Sequence, residues 1–110
     1  MPAKPNTRTP APIKRASRDL AENVKAWRKL NGLTQSQLAD RAGLERKTIV
    51  RLENSETGVS IDALLRVLNA LGVLSSVTRA LDPYETDIGR LRAGEQLPER
   101  VRPRSLSAAT

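Results

Sequence analysis

The 110-residue sequence contains no cysteine and no histidine. Without cysteine there is no disulfide framework and no thiolate chemistry. Without either residue, the usual zinc ligand sets and nucleophile–histidine pairs are excluded. Phenylalanine is absent too, and the chain has one tryptophan, Trp27, and one tyrosine, Tyr84. Only 38% of residues are hydrophobic, so the core has to be small and built from Leu, Ile, Val and Ala. Such domains are marginal and often gain stability by association. No apolar run approaches bilayer-spanning length, and the opening MPAKPNTRTPAPIKR has no apolar centre for a secretory signal. The expectation is a cytoplasmic protein of one domain plus tails, with no membrane contact, no metal and no cofactor.

What is present is basic charge at both ends. Residues 1–18 carry Lys4, Arg8, Lys14, Arg15 and Arg18 without an acid, and residues 90–110 carry five arginines against Glu95 and Glu99. Residues 19–89 are nearly balanced, with nine basic and ten acidic side chains. Basic arms around a neutral middle suit a polyanion such as nucleic acid, and equally suit a soluble protein with basic disordered ends.

Four of the seven prolines fall in residues 1–16, which read as a disordered basic arm. A helical domain is expected over 17–81, and an extension over 82–110, partly helical and then flexible. Leu20, Val24 and Trp27 share one helical face, with Ser17 as cap and Asn31-Gly32 as stop. That face makes Trp27 a core residue. Thr34-Gln35-Ser36-Gln37 reads as a capping box opening a short second helix that ends near Ala42. A third helix runs from about Glu45 to Asn54. Ser60 caps a fourth, whose Ile61, Leu64, Leu65, Leu68 and Leu71 form an apolar stripe. Residues 73–81 read as a fifth helix or a short strand. Asp82-Pro83 then resembles a helix start, with Tyr84, Ile88 and Leu91 on one face and Gly89 weakening that helix. Tyr84 fits either a dimer or partner interface, or a cover over one end of the core.

The chemistry concentrates between residues 35 and 54. Counting Gln35 as the first position, apolar Leu38, Leu44, Ile49 and Leu52 fall where two crossed helices meet. Ala39 is small where they cross, and Gly43 allows a left-handed turn. This is helix-turn-helix spacing, in which the second helix enters the DNA major groove. On a wheel of about 100° per residue, Ile49 and Leu52 point one way and Arg46, Lys47, Val50 and Arg51 the other. Arg and Lys can donate to guanine N7 and O6, and Val50 can touch a thymine methyl. Thr34, Gln35 and Asn54 are placed for phosphates. With no paired carboxylates on one face and no Gly-rich phosphate loop, an enzyme is not expected.

The stretch GLTQSQLADRAGLERKTIVRLEN resembles the signature of the XRE/Cro-repressor helix-turn-helix family, and the likeness covers about Leu20 to Gly72. The resemblance implies an all-α fold: a compact five-helix, lambda-repressor-like bundle, flanked here by flexible basic arms. It also implies a homodimer on a palindromic operator in double-stranded DNA. By position, Arg46, Lys47 and Arg51 would read bases and Gln35 would hold a phosphate. Arg28 and Glu53 would form an ion pair tying the first helix to the end of the third. Two departures stand out. Glu45 replaces a frequent Ser or Thr cap, and Ser55-Glu56 replaces a frequent Gly-Lys or Gly-Arg. Short family members with a C-terminal extension include HipB-type antitoxins, which repress their own operon and bind a kinase-like toxin. The LLRVLNALG helix followed by a Pro/Arg-bearing tail looks similar, so a toxin protein is the alternative partner.

Overall fold

The computed structural model describes residues 8–96, and the expected flexible ends over 1–7 and 97–110 lie outside them. Among the described residues there are six α-helices, one 3-10 turn and no strand. They are α1 (Ala11–Leu30), α2 (Gln35–Ala42), α3 (Arg46–Glu53), α4 (Ile61–Leu71), α5 (Leu74–Leu81), the 3-10 turn Pro83–Glu85 and α6 (Asp87–Gln96). The chain divides into two compact units between Leu74 and Ser75, so the expected boundary after residue 81 moves to the start of α5. Helix α5 buries none of its residues, and the five-helix bundle expected from the resemblance is a four-helix first unit instead.

In the first unit, α2 packs on α3 and α4, and α1 packs on α3 and α4. Leu38, Ile49, Val24 and Val67 are its most deeply buried side chains, and Leu33, Leu52 and Leu71 complete the cluster. Local signals set most of the helix ends. The Thr34 hydroxyl accepts from the Gln37 amide at 3.0 Å and the Gln37 side chain accepts from the Thr34 amide at 2.9 Å, completing the capping box. Gly43 closes α2 at φ 70°, and Ser60 caps α4 by accepting from the Ala63 amide at 3.0 Å.

Four expectations for this unit are corrected. Helix α1 starts at Ala11, not after Ser17, so residues 11–16 are helix and not arm. Proline at Pro10 and Pro12 stands at the helix start, where a missing N–H costs nothing. Ser17 is no cap; its hydroxyl donates to the Ser55 carbonyl at 2.8 Å. Trp27 is 44% exposed and is not core. Relative to Val24, Trp27 lies about 60° to one side and Arg28 about 40° to the other. Burial of Ala21, Val24 and the Arg28 side chain turns the helix toward Arg28 and leaves Trp27 outside. The inward line of α4 is likewise Ala63, Val67, Leu68 and Leu71, with Ile61 and Leu65 exposed on its flank.

The second unit also departs from its expected pattern. Residues 74–81 are helical. Tyr84 lies in the 3-10 turn, and Ile88 and Leu91 are exposed, so these three do not form a buried stripe. Ala93 is the buried residue of α6. The Thr86 hydroxyl accepts from the Gly89 amide at 2.9 Å and holds the helix start against the turn. A Cβ at Gly89 would meet the Pro83 carbonyl oxygen at 2.1 Å. Glycine is required there by this close approach and does not merely weaken the helix. At Gly94 a Cβ meets nothing within 4 Å. Gly89→Ala is therefore expected to destabilise α6 by about 1–3 kcal/mol through overpacking. Gly94→Ala is expected to stabilise it by up to about 1 kcal/mol. Amide exchange across residues 84–96 checks the pair; equal signs for the two substitutions would refute the close-approach account.

Candidate nucleic-acid interface

The interface is built outward from one buried ion pair. Arg28 on α1 meets Glu53 at the end of α3, with Nε 2.7 Å from Oε2 and Nη2 3.0 Å from Oε1. Their side chains are 12% and 2% exposed. The Arg28 Nη1 also donates to the Leu33 carbonyl at 2.9 Å, just before α2. The hydrogen bond to Glu53 holds the Arg28 proton more tightly than in an isolated guanidinium, partial desolvation opposes this, and the charge of Glu53 adds to the hold. A raised folded-state pKa stabilises the fold below the unfolded value. For arginine that stability is present throughout the neutral range and is lost only in strong alkali.

The same carboxylate reaches the start of α2. The Gln35 Nε2 donates to Glu53 Oε1 at 3.1 Å, and the Gln35 Oε1 accepts from Arg46 Nη2 at 3.2 Å. A continuous chain of bonds thus runs from Arg28 through Glu53 and Gln35 to Arg46, the first residue of α3. Its geometry joins Gln35, expected at a phosphate, to Arg46, expected at a base. The Gln35 carbonyl oxygen is engaged within the protein, and its amide nitrogen keeps one further N–H beyond the bond to Glu53. Thr34 next to it is exposed, and its capping bond uses the hydroxyl as acceptor, leaving the O–H proton to donate outward.

The outward face of α3 follows the wheel closely. Ile49 and Leu52 are buried, while Arg46 and Lys47 are exposed and Val50 is half-buried. Asn54 is exposed at the C-terminal end of the helix. Glu45 makes no side-chain cap, and its carboxylate stands 3.6 Å from the Lys47 ammonium with both groups exposed. A pair so solvated is weak and yields to competing anions. Arg51 is exposed but turned aside. Its Nε donates to Glu56 Oε1 at 3.0 Å, directing the guanidinium to the loop after α3. Ser55 in that loop takes φ 59°, the left-handed turn that glycine adopts more readily. Sequence reasoning missed Glu56 as the partner of Arg51, and missed the helical placement of Lys14. Only the departure at Ser55-Glu56 pointed toward this loop.

Comparison with known proteins agrees with this geometry. A helix-turn-helix family model matches residues 24–76. The control protein C.SmaI of Serratia marcescens is 42% identical over 52 residues, 47% of this chain and 62% of that protein. The antitoxin HipB of Escherichia coli is 36% identical over 52 residues, 47% of this chain and 55% of the antitoxin. An uncharacterized HTH-type transcriptional regulator of Methanothermobacter thermautotrophicus is 41% identical over 49 residues, 44% of this chain and 71% of that protein. The match thus spans less than two thirds of the first two relatives. No solved structure matches the chain significantly. The helix-turn-helix family is one of DNA-binding regulators and is not an enzyme class. The chain belongs to the helix-turn-helix family of XRE/Cro-repressor type. No helix among the described residues is long and apolar enough to cross a membrane.

Removing one partner of a buried pair strands the other charge. Arg28→Ala is expected to destabilise the first unit by about 3 kcal/mol, leaving the Glu53 charge with only Gln35 as donor and the Leu33 carbonyl without the bond from Arg28. Denaturant titration checks this, and an unchanged midpoint would show the pair to be dispensable.

Proposed function

We propose that the chain is a sequence-specific double-stranded DNA-binding transcriptional regulator, acting by operator occupancy. The observation that carries this reading is the exposed basic face of α3, whose first residue Arg46 is anchored through Gln35 to the buried Arg28–Glu53 pair. Preorganising a long cationic side chain lowers the entropy lost when it meets a base edge. Arg46, Lys47 and Val50 form the reading head, and Thr34, Gln35 and Asn54 contact phosphates. The protein works as a homodimer on a palindromic operator, supported by the amphipathic α5 with its exposed Val77 and Leu81. Two copies then present their α3 helices about 34 Å apart, one turn of duplex.

Binding to the promoter region of its own gene, against scrambled DNA at matched salt, tests the reading. Tighter binding to the promoter is expected, and equal affinity for both would sink sequence-specific recognition. Arg46→Ala is expected to cost about 1–3 kcal/mol on the operator and to relax discrimination at one position. Uniform weakening on every sequence would instead place Arg46 at a phosphate.

A second reading is an antitoxin that also binds a toxin protein. The likeness to HipB favours it, together with a compact second unit that exposes Ile88 and Leu91. Removing residues 75–110 is then expected to abolish capture of a toxin from the source cell and leave DNA binding by α3 in place. Capture that survives the deletion excludes the second unit as the partner surface.

A further inference from the structure

The early start of α1 puts Lys14 on a helix where the sequence predicts a loose arm. Lys14 and Arg18 are four residues apart and therefore share one face of the helix. Between them, the Ser17 hydroxyl donates to the Ser55 carbonyl and pins this stretch of α1 to the loop after α3. A groove of about 580 Å³ opens there, lined by Lys14, Arg18 and Arg51 together with Ser55, Thr57 and Gly58. Glu56 is the acidic group on its wall.

Arg51 enters this groove from the flank of α3. Its Nε is held by Glu56, and its Nη2 lies 3.1 Å from where a Cβ at Gly58 would stand. Any side chain at position 58 would crowd the guanidinium. Three cations therefore converge against one carboxylate, and that carboxylate is half exposed in a solvated pair. Such a pair contributes little and exchanges readily for a better anion.

We infer that the groove is a phosphate site for the DNA backbone at the edge of the interface. Lys14, Arg18 and Arg51 are its donors, and Arg51 contacts phosphate instead of reading a base. The inference rests on the DNA-binding reading above. A duplex that takes α3 in its major groove brings the phosphates bordering that groove alongside the helix flank. Arginine binds a phosphate through two parallel N–H donors, and lysine adds a point charge. The volume exceeds what one free anion fills and suits a strand passing through. These contacts set affinity and register without reading sequence.

The test measures the salt dependence of binding to the promoter DNA and to scrambled DNA. It compares the full chain with Arg51→Ala and with the double variant Lys14→Ala, Arg18→Ala, each shown to be folded by thermal unfolding. Each lost phosphate contact is expected to lower the slope of log K against log salt by about 0.9. The loss is expected to be equal on both DNAs, with single-base operator variants ranked as for the unaltered protein. Lys14→Arg is expected to retain the slope. An unchanged slope in the double variant overturns the inference, as does relaxed discrimination at one operator position in Arg51→Ala. Thermal stabilisation by inorganic phosphate over chloride at equal ionic strength, lost in the variants without a change in DNA slope, would make it a free-anion site and overturn the inference too. An unaltered protein that binds neither DNA removes the DNA reading itself, an outcome distinct from the other three.

Discussion

Arg28 and Glu53 meet where both side chains are largely out of water, and most of the first unit is arranged around that meeting. Taking two charges from water is costly, so the pair is a weak source of net stability. Its value is direction. The bidentate bond fixes how α3 is rotated against α1, and the third bond of Arg28, to Leu33, fixes the approach to α2. Because the guanidinium must face inward, α1 turns Trp27 toward solvent despite the apolar surface this exposes. The remaining capacity of the Glu53 carboxylate goes to Gln35, and through it the orientation of the core reaches Arg46.

Helix α3 itself is a poor helix by local rules. Its first turn carries Arg46 and Lys47, where the helix dipole disfavours cations, and Glu45 supplies no side-chain cap. Packing overrides these defects, because Ile49 and Leu52 are buried in the same cluster as Leu38 and Val67. The exposed Glu45 carboxylate beside Lys47 offsets only part of that positive charge. A helix start left this basic fits the DNA-binding role proposed for it.

Much of the first unit is legible in the sequence. The capping box at Thr34 and Gln37, the turn at Gly43, the cap at Ser60 and the inward Ile49 and Leu52 all stand as the spacing predicts. Each depends on groups within a few residues of one another. The Arg28–Glu53 pair came only through family resemblance, since nothing in local spacing joins residues 25 apart. The prolines of the N-terminal stretch misled, because they mark both disordered arms and helix starts, and contacts such as that of Ser17 with Ser55, 38 residues away, separate the two. The direction of Arg51 was not legible either: a wheel gives the Cα position, but a long side chain follows its partner, here Glu56. Gly89 shows the same limit, as its necessity comes from the Pro83 carbonyl folded against it.

The sequence by itself determined the helices, their caps, the helix-turn-helix spacing and the basic face of α3. These follow from backbone hydrogen bonds and side-chain periodicity, whose reach is one or two helical turns. The tertiary structure decided which flank of α1 and of α4 is buried, where the first unit ends, and which cations stand together beside α3. Those outcomes depend on contacts between distant segments, where a single buried charge pair and one docked hydroxyl outweigh the local pattern.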